Sequence, residues 1–375
     1  MMPERSIAAM FAALAVALGL IAFASPAPDH VTDRGLYEAT EAQVIVPDCS
    51  DLQCFRVLVP WALGRLPGAS IVKWKAYAAL TNAAAAVAVF VWCLTLGMTT
   101  RSATIASTIS AFGFGSLYTL HDPHTSDPLM FALGPVITNE LWRGRFGVAA
   151  GLGIAGVFAK EFAAAPLYAF AACSAVERRW LASAYAFVAG NAAFITWTLL
   201  TITLMLRFNY SYGWNGNGSA NFAEGAALAL WLQKQSARGI AFAMFNEFGA
   251  LYILAPAGFL FAPRRMRRLV LVSLPIAAVF GFVQQPDRGL WNFHYLVAPL
   301  AALVLARVPA PLAWSTVGLF VLGNLRVGAQ LPISAVARVA IAGSLVLALV
   351  CVVAAWRQPV AAASPLDGGV SPAYR

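Results

Sequence analysis

Charge-free apolar runs recur along this chain, at about residues 6–28, 76–100, 102–120, 180–206, 269–286, 289–306, 308–325 and 339–356. Most approach or exceed the ~18–20 residues that an α-helix rising 1.5 Å per residue needs to cross a bilayer. Only 11% of the residues are charged, against about 25% in a soluble domain. No soluble core could hide that much apolar surface. The pattern predicts an all-α, polytopic transmembrane helical bundle of about 11–12 spans. It forms one transmembrane domain over residues 1–357, followed by a disordered cytoplasmic tail, 358–375, rich in Ala, Pro, Ser and Gly.

The first run has two readings. Arg5 precedes an apolar stretch that ends in Ala22-Phe23-Ala24, the small-x-small pattern of a cleaved leader. Its apolar core, Ile7 to Ala24, exceeds the ~7–15 residues usual for leaders, which favours retention as a span. Either way the amino end lies inside.

With spans alternating from that start, the formal charge of +9 separates by side. The inside loops and ends carry thirteen of the 25 basic residues and four of the 16 acidic ones, a net of +9; the outside carries twelve of each. The whole basic excess thus sits where the positive-inside rule places it, so it marks topology and not a nucleic-acid partner.

Two long outside segments follow, 26–74 and 207–248. Within the first, Phe55 to Leu66 mixes Phe, Val, Leu and Trp with Arg56 and Arg65, as an interfacial helix would. The second opens on a turn-rich stretch from Asn209 to Gly218, and residues 226–237 read as another interfacial helix. Cys49 and Cys54 fall in the first segment, where an oxidising compartment would permit a local bridge. Three further charge-free stretches, 128–139, 146–159 and 162–176, are too short for the ~30 Å hydrocarbon core. Asp127, Lys160 and Glu161 lie at their outer ends, which predicts a polar cavity open to the outside.

The chemistry-bearing candidates sit on that side. Asp33, just beyond the first span, is either a loop carboxylate or helix cap, or a general base held at the junction. Asp127 before Pro128 is the pattern of a helix N-cap followed by proline at N1, and also a candidate site acid. His121, Asp122 and His124 carry groups that suit zinc or manganese, without a diagnostic zinc spacing; a divalent metal is the one cofactor considered. Lys160-Glu161 is either a mutually screened pair or a phosphate-holding cation with an orienting acid. Asp287-Arg288 with Trp291, His294 and Tyr295 reads equally as an aromatic belt or as a site. P-loop, nucleophile-elbow and HExxH signatures are absent from the sequence. An activated substrate is therefore expected to be lipid-borne and met from the outside.

In layout the chain resembles the GT-C glycosyltransferases, polytopic enzymes that take a sugar from a polyprenyl-phosphate carrier. Asp33 followed by Tyr37 is similar to that family's first-loop acidic position. Phe55-Arg56-Val57-Leu58-Val59-Pro60 resembles the interfacial R-x-L-x-P segment of many bacterial members. Ser126-Asp127-Pro128-Leu129 is similar to the second-loop acid, Lys160-Glu161 to a later K-E, and Asp287-Arg288 with His294-Tyr295 to the late R-Y loop. The resemblance implies a GT-C-like bundle in a bacterial inner membrane with its site facing outward. It implies an inverting transfer from a polyprenyl-phosphate-linked donor to an unidentified acceptor. Asp33 would accept the acceptor's proton, while Lys160 and Arg288 hold the carrier phosphate. The first loop lacks the family's acidic pair at Asp33, which leaves a metal requirement open. The competing expectation is a transporter or flippase of a lipid-linked or small polar solute, whose mark would be a charge or broken helix near the bilayer midplane.

Topology gives the first test. Single cysteines placed near residues 101, 143–145, 178–179, 264–268 and 307 should label only from the cytoplasm, and those in 26–74 and 207–248 only from outside. A cytoplasmic first loop would remove the proposed site.

Overall fold

The computed structural model describes residues 4–26, 32–43, 45–46, 48–49, 52–210, 241, 245, 247–283, 290–325 and 334–358. Among these every regular element is helical. In chain order the α-helices are α1 (Glu4–Ala24), α2 (Thr32–Gln43), α3 (Leu58–Gly64), α4 (Ser70–Thr95), α5 (Thr100–Ala111), α6 (Phe114–His121), α7 (Asp127–Trp142), α8 (Phe146–Gly156) and α9 (Ala165–Val176). They continue with α10 (Trp180–Phe208), α11 (Leu251–Phe261), α12 (Arg264–Val283), α13 (His294–Leu305), α14 (Ala310–Asn324) and α15 (Ser334–Arg357). Short 3₁₀ turns at Leu52–Phe55, Glu161–Ala164 and Leu290–Phe293 precede α3, α9 and α13. Among the described residues four helices, α1, α4, α10 and α15, are long and apolar enough to cross a membrane. Large apolar side chains such as Leu181, Phe187, Leu206, Val339 and Val346 stand exposed on α10 and α15, as lipid-facing surfaces require.

The centre of one half is α4, packed against α1, α5 and α7. Its alanines, Ala78, Ala79, Ala83, Ala85 and Ala86, are buried and let neighbouring backbones come close. Asn82 sits among them, and its amide donates to the Thr119 hydroxyl of α6 at 2.9 Å and to the Ala78 carbonyl at 2.9 Å. An unpaired amide there would cost stability, so this bond fixes α6 on α4. The end of α1 is tied down in the same region: Lys75 donates to the Ser25 carbonyl at 2.6 Å. Ala22 is fully buried while Phe23 is exposed, so the leader-like Ala22-Phe23-Ala24 is the last turn of α1 with one face against the protein.

The uninterrupted run at 102–120 is two helices. α5 ends at Ala111 and α6 begins at Phe114, and the Trp291 indole fills the break. A Cβ on Gly113 or Gly115 would overlap that ring, which accounts for both glycines. The Ser116 hydroxyl closes the break by donating to the Ser110 carbonyl at 2.7 Å.

Cys49 and Cys54 form a disulfide. The bridged loop is anchored on the far end of α10, where Asp48 N–H donates to the Phe208 carbonyl at 3.0 Å and the Tyr210 hydroxyl donates to the Val46 carbonyl. The interfacial element expected at 55–66 is the helix α3, with Trp61 exposed and Arg65 lying 5.0 Å from its ring centroid. The second expected interfacial helix, 226–237, and the tail from 359 lie outside the described residues.

In the other half α11 crosses α13 with Gly258 against the Leu300 carbonyl, where a Cβ would overlap the oxygen. Gly318 on α14 faces open space. Gly258→Ala should therefore cost about 1–3 kcal/mol by overpacking, while Gly318→Ala should be neutral or gain up to ~1 kcal/mol of helix propensity. Thermal unfolding of the two variants in detergent distinguishes them; equal melting temperatures would contradict this crossing.

Candidate functional site

The three short apolar stretches become α7, α8 and the 3₁₀–α9 pair, and the turns joining them carry the charges. α7 starts at Asp127, after Ser126, whose side chain makes no capping bond. Asp127 is thus the first residue of the helix and not the N-cap that its Asp-Pro pattern predicts. Its carboxylate is committed elsewhere, to a salt bridge with Lys160. Lys160 itself follows α8 in extended backbone, which turns its side chain back across the start of α7. Both are almost fully buried, Asp127 at 4% and Lys160 at 2% exposure.

Glu161, next in sequence, pairs with Arg56 from the loop before α3. The guanidinium donates through Nη2 at 2.8 Å and Nε at 3.4 Å to the two carboxylate oxygens, the two-pronged geometry that suits arginine. The Leu58 N–H donates to the Phe158 carbonyl at 2.9 Å and fixes the first loop against the α8 turn. Burial alone lowers the basicity of Arg56, but Glu161, Tyr37 and Asp127 outweigh it and hold the guanidinium firmly charged. Two cations and two anions from three distant segments therefore form one compensated group. At the position of the expected polar cavity these four side chains are paired with one another.

A second layer comes from α2. Arg34, Tyr37, Glu38 and Glu41 recur at the i, i+3, i+4, i+7 spacing of one helix face, and that face meets the start of α4. Glu41 accepts from the Ser70 hydroxyl at 2.6 Å and the Trp74 indole at 2.7 Å and is salt-bridged to Lys73. Burial raises the Glu41 carboxyl, yet the bonds from Lys73, Ser70 and Trp74 prevail and hold it below the usual range. Glu38 takes Arg34 at 3.1 Å and faces His124 Nε2 at 3.3 Å. Burial pushes His124 down to about 4, against the pull of Glu38, so the imidazole is neutral at pH 7. Trp74 is the hub, with Tyr37, Tyr77 and His124 rings 5.5, 5.8 and 5.1 Å away. Tyr77 then reaches the main site: its hydroxyl donates to the Ser126 carbonyl at 3.4 Å and accepts from the Leu129 N–H at 3.2 Å.

Four of the predicted residues, Arg56, Asp127, Lys160 and Glu161, are thus brought together. Asp33 lies in the first turn of α2, four residues before Tyr37, and its side chain is outside the described residues. Asp287 and Arg288 are also outside them. His294 and Tyr295 are buried at the start of α13, deeper than an aromatic belt. The His294 Nδ1 lies 2.9 Å from the Trp291 carbonyl and its ring meets Phe131 edge to face; Phe131 is one turn below Asp127. The metal candidates diverge. His124 faces Glu38, whereas His121 turns toward Pro26 and Lys75, and the described residues contain no group of three His, Cys, Asp or Glu side chains placed to hold a metal ion.

Glu38, Glu41, Lys73 and Trp74 were missed as ordinary loop and span-end residues; the helical spacing within α2 was the available signal. Glu247, fully buried beside Phe248, carries no such pattern.

Asp127→Asn or Lys160→Met alone should destabilise the fold by about 3–5 kcal/mol, because each leaves its partner buried without its counter-charge. The double variant Asp127→Leu/Lys160→Met should recover most of the loss, as measured by unfolding in detergent. Additive losses within ~0.5 kcal/mol would show that the two side chains are not coupled. No known protein family matches this chain by sequence, and no curated protein matches it.

Proposed function

We propose that the chain is a membrane glycosyltransferase of GT-C type, with 11–12 crossings in a bacterial inner membrane and its site on the outer face. It would transfer a sugar from a polyprenyl-phosphate donor to an acceptor hydroxyl. The observation that carries this reading is the convergence of Arg56, Asp127, Lys160 and Glu161. They come from three segments far apart in sequence, and they include three of the positions on which the family likeness rests. Alternating the helices from an inside amino end places them all at the outer end.

In this reading the acceptor oxygen attacks the anomeric carbon while the bond from that carbon to the carrier phosphate oxygen breaks. The electron pair leaves with the polyprenyl phosphate, and the acceptor's proton passes to Asp33. Charge grows on the leaving phosphate; Lys160 and Arg288 would hold it, with Arg56 the further cation that the described residues bring beside Lys160. Lys160 and Arg56 are held by carboxylates in the resting protein, so donor binding has to exchange Asp127 or Glu161 for phosphate oxygens.

The test uses purified full-length protein in vesicles containing polyprenyl-phosphate sugars and an acceptor mixture. Asp33→Asn should lower turnover by ~10²–10⁴-fold, the cost of losing a positioned base, with melting temperature near wild type. The Asp127→Leu/Lys160→Met double variant should keep its fold and lose donor turnover. Retention of more than about a tenth of the activity in Asp33→Asn would remove it as the base. Vesicles that move solute but transfer no sugar would replace this reading with a transporter.

A further inference from the structure

The opposite end of the α1–α4–α7 group carries a separate feature. α1 packs on α4 and on α6, and α4 packs on α7. Between them a groove of about 520 Å³ remains, lined by Ala8 and Phe11 of α1, Ala84 and Ala88 of α4, and Val136 and Asn139 of α7. The lining is apolar apart from one group. Asn139 is only 6% exposed; its Nδ2 lies 3.4 Å from Glu140 Oε1, and its Oδ1 has no partner among the described residues. An amide oxygen buried without a donor is costly, and a small rotation of the Asn139 side chain toward the groove would let a ligand with a donor group satisfy it.

The mouth is cationic. Arg5 precedes Ala8 by three residues on α1, and Arg143 follows Asn139 by four at the end of α7, so each guanidinium emerges one turn beyond a lining residue on the same face. Both are exposed. Arg143 also donates to the Thr95 hydroxyl at 3.1 Å, which places it over the end of α4. The start of α1 and the ends of α4 and α7 thus meet at one end of the group. Under the membrane placement proposed above, that end is the cytoplasmic leaflet.

We infer that this groove is a binding site for one anionic phospholipid of that leaflet. An acyl chain fills the space between α1, α4 and α7, and the phosphodiester lies between Arg5 and Arg143. A headgroup or glycerol hydroxyl donates to Asn139 Oδ1. Apolar volume accounts for the chain, the two arginines for the anion, and the amide for a donor-bearing head, as in phosphatidylglycerol. The inference rests on the membrane placement and is independent of glycosyl transfer.

The experiment is native mass spectrometry of full-length protein extracted from membranes. It is titrated with phosphatidylglycerol or phosphatidylcholine of identical acyl chains. One phosphatidylglycerol should bind per chain in preference to phosphatidylcholine. Arg5→Gln and Arg143→Gln should each weaken it about fivefold, the effect of ~1 kcal/mol per arginine near a lipid surface. Ala88→Phe should block both lipids by filling the groove. Asn139→Leu, which keeps the volume, should weaken phosphatidylglycerol alone. Equal affinity for the two lipids in the wild type, or undiminished phosphatidylglycerol binding in both Ala88→Phe and the double arginine variant, would overturn the site. Circular dichroism of each variant separates loss of binding from loss of fold, and recovery of protein in the membrane fraction separates it from failed insertion.

Discussion

The buried pairing of Asp127 with Lys160, and of Glu161 with Arg56, is the constraint on which one end of the molecule is organised. Helices of 11 to 16 residues reach only about 17–24 Å, and the charges at their outer ends are taken into the protein. A lone buried charge costs several kcal/mol, and that cost falls only when a partner is held in good geometry. Lys160 and Glu161 are adjacent in sequence and find their partners in opposite directions, one at the head of α7 and one in the first loop. The loop therefore has to fold down onto the α8 turn, and the Leu58 to Phe158 backbone bond holds it there.

Much of this was legible because charge is scarce. In a chain with so few ionisable residues, each one at the end of a short apolar stretch stands out, and Arg56, Asp127, Lys160 and Glu161 were all identifiable. What they would do with one another was not legible, since the sequence shows no register between segments a hundred residues apart. Nor does hydropathy say which cation meets which carboxylate, so the pairs Asp127–Lys160 and Glu161–Arg56 were not legible either. Hydropathy also cannot see a break in a helix whose residues stay apolar, so the α5–α6 interruption was invisible; its cause, the Trp291 ring, comes from a segment about 180 residues away. α2 was obscured by composition, because its acids and bases look like those of a solvated loop until they are counted at helical spacing.

Between the charged end and the groove the molecule is held by a small number of polar contacts in apolar surroundings. Asn82 to Thr119 joins α4 to α6, and Arg101 holds the end of α13 by donating to the Leu305 carbonyl at 3.4 Å and to the Val308 carbonyl just beyond it at 2.7 Å. On the basic side Glu177 gathers Arg265 at 3.1 Å, with Arg179 and Arg268 at 3.8 and 3.9 Å. Arg265 also lies 3.7 Å from the Trp142 ring centroid. These contacts tie α9 and α12 to the end of α7, the helix that begins at Asp127 and ends beside Asn139. α7 thus shares its two ends with both candidate sites.

The bond from Lys75 to the Ser25 carbonyl has a consequence for biogenesis. Lys75 can reach the Ser25 carbonyl only once the start of α4 has been made, and residue 75 leaves the ribosome fifty residues after residue 25. At about 5–20 residues per second, α1 stands alone in the membrane for several seconds with a leader-like end exposed. If the leader-like end is a cleavage substrate, survival of the first helix is a kinetic competition between a protease and the formation of the Lys75 to Ser25 bond. Slower translation across residues 26–75 would tilt that competition toward cleavage, and a chain cut there would lose the α1 wall of the groove while keeping every residue of the charged site.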